Sequence, residues 1–190
     1  MRTEFPDFFA RMPSIAMRDP LAEFLGAGSG ALEYSFADAV KLTGHSCPTV
    51  AGAYLATAAA LARLYPDATP ERGAIRVEVR ERLEDGVAGV VGSVAGLVTG
   101  AAGEGGFKGI AGRFERRGRL VFGAPIEADL RFTRLDTGES VEVDLPRAAA
   151  MTPELMDALR RALSPQATPE ERAAFGRGWQ ARVAQMLESA

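Results

Sequence analysis

The sequence predicts an α+β fold: an antiparallel sheet packed against helices, with a helical pair at the C-terminal end. Three observations carry this. Helical spacing of apolar residues fills 35–65, strict two-residue alternation occurs at 75–80, and proline-led helix starts stand at Thr152 and Thr168. Helices come first, then strands, then helices again, a segregated order that points to α+β. With 47% hydrophobic residues in 190, the chain is rich and long enough to bury a core. One domain is expected, divided as an N-terminal arm (1–34), an α+β core (35–150) and C-terminal helices of the same domain (151–190). No internal repeat or linker interrupts it.

Residues 1–33 read as an irregular arm with short helices. Phe5, Phe8 and Phe9 are its anchors, and Pro6, Pro13 and Pro20 interrupt it. LAEFLGAGSG is a short helix stopped by glycines. Such an arm is suited to cover a pocket or dock on a second copy of the chain. Ser35 is an N-cap, followed by Phe36, Ala39, Val40 and Thr43 at helical spacing, and Gly44 ends that helix. Pro48 fits the first turn of a second helix that runs to about Tyr65 and stops at Pro66. Its alanine-rich flanks let neighbours approach closely.

AIRVEVRE is a half-buried strand, with Ile75, Val77 and Val79 on one side and Arg76, Glu78 and Arg80 on the other. Val87, Val90, Val91, Val94, Leu97 and Val98 then form one stripe of a helix, and Gly86, Gly89, Gly92, Ser93 and Gly96 lie opposite. A strand over the same valines is the competing reading. The glycine face lets a backbone or a flat ligand come close. GRFERRGRLVFG suggests a hairpin around Arg117-Gly118, and LRFTRLDTGESVEVDL another around Asp136-Thr137-Gly138, with Val141, Val143 and Leu145 on one face. Thr152-Pro153-Glu154 and the capping-box pattern Thr168-Pro169-Glu170-Glu171 open the last two helices. Phe175, Trp179, Val183 and Leu187 make an i+4 stripe on the final one.

Charge narrows the partners. A net charge of −3 without a lysine–arginine stripe gives no footprint for nucleic acid, and Arg113, Arg116, Arg117 and Arg119 read as a solvated edge or turn. MRTEFPDFF has no signal-peptide pattern, so a cytoplasmic protein is expected. Val87–Gly103 is uncharged for 17 residues, but its five glycines and the flanking Asp85 and Glu104 favour a buried helix over a membrane span. A single cysteine excludes an internal disulfide and any CxxC ribbon.

TGHSCPTVAGAY, Thr43 to Tyr54, holds the chain's only histidine and only cysteine, two positions apart. Residues two apart share a side only where the backbone is extended, and a residue before proline is biased toward that geometry. His45 and Cys47 can then converge on one guest. Cys47 also sits at the start of a helix, where the dipole favours an anionic ligand atom. Three chemistries are open. The pair is a start for a divalent metal, zinc first, which wants about four ligands. It offers an axial ligand for haem or another flat cofactor, held noncovalently because CxxCH is absent. It also resembles a thiol nucleophile with a histidine base, without an identifiable third group. The plain alternative is packing: a small apolar thiol and a hydrogen-bonded imidazole.

Three further residues are candidates. Glu104, in the glycine loop GAAGEGGFKG, is a carboxylate that flexible backbone can bring to a metal, against the alternative of an exposed loop acid. Lys108 in the same loop is suited to an anionic group, against that of a solvated lysine. Tyr54, seven residues after Cys47 and on about the same helical face, can hydrogen-bond into a pocket, or serve the core. The loop lacks the GxxxxGK[ST] order and is no P-loop.

GHSCPTVAGAY resembles the GH-x-CP signature of the FmdE-like family, named for its association with formylmethanofuran dehydrogenase. The likeness spans about residues 35–123: the helix into the motif, the alanine-rich helix, the strand, LVTG, the glycine loop with Lys108, and RLVFG. SPQATPEERAAF is similar to that family's closing helices. The resemblance implies an α+β fold, a homodimer, a small-molecule ligand, and a divalent metal, usually zinc, held near His45 and Cys47. It further implies association with a molybdenum or tungsten enzyme. This chain departs from the pattern at three points. Ala101 follows Thr99-Gly100 where the family often has cysteine, Ser93 stands where an acid is common, and no cysteine-rich ribbon closes the chain. A pared-down site or a changed ligand is therefore expected.

Overall fold

The computed structural model describes residues 5–187, Leu187 by its backbone alone. Of the final apolar stripe, Trp179 is half-buried and Val183 fully buried, while Leu187 lies outside the described side chains.

The alternating strand is the centre of the sheet. β3 (Ile75–Val79) lies between β4 (Leu120–Phe122) and β5 (Leu130–Arg134), and β6 (Ser140–Val143) pairs with the far side of β5. Val77 pairs with Phe132, and Phe132 with Val141, so the apolar positions of successive strands fall on one face. Helices α3 (Pro48–Leu64) and α4 (Ala88–Thr99) cover that face. Ile75, Val77, Leu130 and Phe132 are fully buried there, each contributing about 1.5–3 kcal/mol relative to exposure. The other face carries charge: Arg131 donates from Nε and Nη2 to both carboxylate oxygens of Glu78, at 2.7 and 2.8 Å.

The sheet is mixed, which corrects the expectation of a purely antiparallel one. β3 and β4 run parallel, with α4 as the crossover that parallel neighbours require, while β3–β5 and β5–β6 are antiparallel. The hairpin expected at Arg117-Gly118 does not form. Gly118 does turn the chain, with φ +67°, but residues 113–116 do not become a strand and Arg116 points inward. The second expected turn joins β5 to β6, with Gly138 at φ +76°.

α4 is a helix, not a strand, and Val91, Val94, Ala95 and Val98 are buried. Its glycine face is filled at Gly92 and Gly96. A Cβ on Gly92 would stand 2.5 Å from the Phe122 ring, and one on Gly96 would stand 2.7 Å from the Ala101 carbonyl oxygen. These glycines let the sheet and the helix's own C-terminal turn pack close. Among the described residues no helix is long and apolar enough to cross a membrane.

The arm is more ordered than its sequence suggests. β1 (Ile15–Arg18) and β2 (Ala31–Tyr34) pair antiparallel, with the short helix α1 (Pro20–Phe24) between them. Strands of four residues carry too little alternation to be read from sequence. Phe9 packs edge-on against Phe36, the first residue of α2 (Phe36–Thr43), at 4.7 Å between centroids, and Phe36 against Tyr54 at 5.8 Å. The arm thus joins the main core. At the other end, α5 (Pro153–Ala162) and α6 (Pro169–Ala184) pack on each other, capped by Thr152 and by the Thr168–Glu171 box.

Candidate functional site

Local chemistry shapes the turn that carries His45 and Cys47. Gly44 ends α2 in the left-handed region at φ +77°, which glycine adopts without strain. Cys47 is extended, with φ −148° and ψ 167°, and caps α3 with Pro48 in the first turn. The backbone geometry expected before the proline is therefore present. His45 is exposed, and its Nδ1 lies 3.0 Å from the Thr43 carbonyl oxygen. A carbonyl can only accept, so Nδ1 carries the proton, and in the neutral ring Nε2 keeps its lone pair. Cys47 is half-buried and packs against the core.

The residue between them is held from far away. Trp179 donates from Nε1 to the Ser46 carbonyl oxygen at 3.0 Å, and Gln180 from Nε2 to the same oxygen at 3.3 Å. α6 therefore fixes the turn. Ser46 Oγ and Gln180 Oε1 are buried there without a hydrogen-bond partner.

Two concave surfaces flank the turn. His45 lines a groove of about 230 Å³ with Leu42, Thr43, Gly89, Val90 and Ser93. Ser93, where the resemblance places an acid, thus shares a groove with His45; its hydroxyl donates to the Gly89 carbonyl oxygen at 2.7 Å. The second is a largely apolar cavity of about 280 Å³, bounded by Pro48 and Thr49, by Val79, by Val87 just before α4 and Val91 within it, and by the 145–148 segment. It opens beside the helix end that Cys47 caps. Asp129 on its wall is occupied by Arg80 at 2.6 Å and by the Leu145 amide at 3.0 Å.

The remaining candidates do not gather at His45. Glu104 and Lys108 are both exposed on the loop beyond the C-terminal end of α4, whereas the His45 groove meets α4 at Gly89–Ser93. Tyr54 is fully buried, and its hydroxyl lies 2.7 Å from the carbonyl oxygens of both Pro13 and Tyr34. In that position it ties the arm to α3. Among the described residues no group of three or more His, Cys, Asp and Glu is arranged to hold a metal.

One cluster was not legible from sequence. The arginines read as a solvated turn divide: Arg113 and Arg117 are exposed, but Arg116 is only 6% exposed. Its Nη2 donates to Asp19 Oδ1 at 2.7 Å, and Arg72 donates from Nη1 to Asp19 Oδ2 at 2.9 Å. Burial pushes the Asp19 pKa up, yet the Arg72 hydrogen bond and the Arg116 charge outweigh it and hold the carboxyl below its usual value. For Arg116 burial dominates, and its pKa is lowered despite Asp19.

Comparison with known proteins adds one match. A family model described as FmdE, molybdenum formylmethanofuran dehydrogenase operon, matches residues 42–190. No curated protein and no solved structure matches the chain.

Proposed function

The chain belongs to the FmdE family, and from that premise we propose that it is a metal- and ligand-binding relative of the accessory proteins of formylmethanofuran dehydrogenase, acting in the cytoplasm. The donors of one chain do not fit a closed four-residue zinc site, since no such cluster exists among the described residues. The reading is an open site with two protein donors, His45 and Cys47. The observation that carries this reading is the Nδ1 bond from His45 to Thr43, which leaves Nε2 as the ligand atom in the way metal-binding histidines are commonly oriented. When bound, zinc would supply a Lewis-acid docking point for a small ligand, and the apolar cavity beside Pro48 would take the ligand's carbon frame.

The open positions go to water, to that ligand, or to a second copy of the chain. Leu42, 48% exposed, lines the groove, and Leu83, 59% exposed, adjoins Gly89 at its edge. An apolar rim of this kind favours a homodimer covering the face. Glu104 would meet a metal, and Lys108 an anionic group of the ligand, across that copy-to-copy interface rather than within one chain.

Metal analysis of protein purified without a histidine tag tests the reading, together with zinc titration and sizing of wild type, His45→Ala and Cys47→Ser. About one zinc per chain is expected in wild type, with binding lost in both variants. Zinc content at background after supplementation, or titrations identical in all three proteins, overturns it.

A further inference from the structure

The loop between α4 and β4 brings Arg116 and Arg119, and the segment before β3 brings Arg72, to a separate cavity of about 280 Å³ at the C-terminal end of α4. Its charged lining is Arg72, Arg116, Arg119, Glu71, Glu115 and Asp136. The acids have partners outside the lining: Glu115 pairs with Arg117 at 2.9 Å and Asp136 with Arg134 at 2.7 Å, while Glu71, at 3.4 Å, shares Arg18 with Glu23, at 2.8 Å. The arginines are not so served. Arg72 and Arg116 share the single carboxylate of Asp19, and the half-buried Arg119 forms no side-chain ion pair or hydrogen bond among the described residues. Three cations answer to one anion.

The shortage reaches the buried atoms. Arg116 Nη1 and Arg72 Nε are buried with no hydrogen-bond partner. Arg116 itself is held in a bed of two glycines, Gly73 at φ +91° and Gly100 at φ +74°, where any Cβ would collide with the guanidinium. A fixed, desolvated cation with an unanswered N–H is unfavourable unless something completes it. An ion-pair network of purely structural use would close on itself, as Glu115 and Asp136 do with Arg117 and Arg134. Arg72, Arg116 and Arg119 are left with one directly bonded carboxylate, that of Asp19, beside a concave space.

We propose that this cavity binds a small oxyanion, a phosphate or a carboxylate group, which pairs with the guanidinium groups of Arg119 and Arg116 and neutralises the excess beside Arg72. Planar guanidinium forks match the paired oxygens of either group. The cavity admits a group of that size. Burial and the neighbouring Arg116 charge lower the Arg119 pKa, and the Glu115 carboxylate only partly offsets them. The site is independent of the metal reading: the His45 groove meets α4 at Gly89–Ser93, and residues 94–99, about 9 Å of helix, lie between it and the C-terminal end.

Isothermal titration at constant ionic strength tests the proposal, with inorganic phosphate in one arm and acetate in the other, on wild type, Arg119→Gln and His45→Ala. One saturable site is expected, weakened roughly tenfold or more by Arg119→Gln and unchanged by His45→Ala. Saturation by phosphate alone assigns a phosphate ligand, and by acetate alone a carboxylate. Because Arg119 has no protein partner to lose among the described residues, its variant should fold, as circular dichroism will report. Failure of both oxyanions to saturate folded wild type, or equal binding by Arg119→Gln, overturns the proposal.

Discussion

Asp19→Ala probes the buried charge cluster at its single anion. The residue is 4% exposed and accepts from the Leu21 amide at 3.0 Å, the Ala22 amide at 3.3 Å, Arg116 Nη2 at 2.7 Å and Arg72 Nη1 at 2.9 Å. Two losses add in the variant. The N-cap of α1 contributes about 1 kcal/mol. Removing one partner of a buried ion pair costs about 3–5 kcal/mol, because Arg116 remains as an uncompensated charge. Arg72 is less enclosed, recovers solvent, and adds little. The expected destabilisation is about 4–6 kcal/mol, a large share of the roughly 5–15 kcal/mol that holds an ordinary domain together. At about 2–4 °C per kcal/mol for a chain of this size, Tm falls by roughly 10–20 °C. Asp19→Asn keeps the cap and removes the charge, so it should spare about 1 kcal/mol of that loss. The sign with pH follows from the depressed folded pKa. Protonation favours the unfolded chain, so the Asp19 contribution is fully present above about pH 4 and fades as pH falls through the folded value. Asp19→Asn should therefore flatten the acid limb of stability against pH. Urea and thermal unfolding by circular dichroism, from about pH 7 down to about pH 3, measure both effects. Asp19→Ala within about 1 kcal/mol of wild type would refute the buried-charge account.

Two further substitutions test the packing around the motif. Gly52→Ala gains about 1 kcal/mol of helix propensity but sets a Cβ 2.6 Å from the Pro146 carbonyl oxygen, an overpacking of about 1–3 kcal/mol against backbone. A net loss in urea unfolding is expected, and a more stable variant would contradict the close approach of α3 to the 145–148 segment. Trp179→Phe deletes the donor to Ser46 and should lower stability by about 0.5–1.5 kcal/mol while weakening zinc binding. Unchanged stability and unchanged zinc titration together would mean that the Trp179 bond does not hold the turn.

The legible parts of the chain are those decided by near neighbours. Ser35, Gly44, Pro48 and Pro66 punctuate α2 and α3 through backbone preferences that act within a turn, so those elements follow from the sequence. The valine stripe places α4 for the same reason. The direction of Leu120–Phe122 is different in kind, because it depends on Phe122 finding Gly92 across a crossover. Arg116 and Arg117 are equivalent neighbours on paper. Only Asp19, 97 residues earlier, separates a buried guanidinium from a solvated one. At the site, the extended Cys47 is a local consequence of Pro48, and the His45–Thr43 bond spans two residues. The sharing of a groove by His45 and Ser93 rests on α2 packing against α4, which no spacing encodes.

A single backbone oxygen, that of Ser46, is gripped by two adjacent side chains 133 and 134 residues downstream. The tail of the molecule is thus a tether on the turn bearing its one imidazole and its one thiol. Tugging the closing hairpin of helices outward must slacken that turn before it disturbs the sheet. Whatever takes hold of the hairpin gains a mechanical handle on the motif itself.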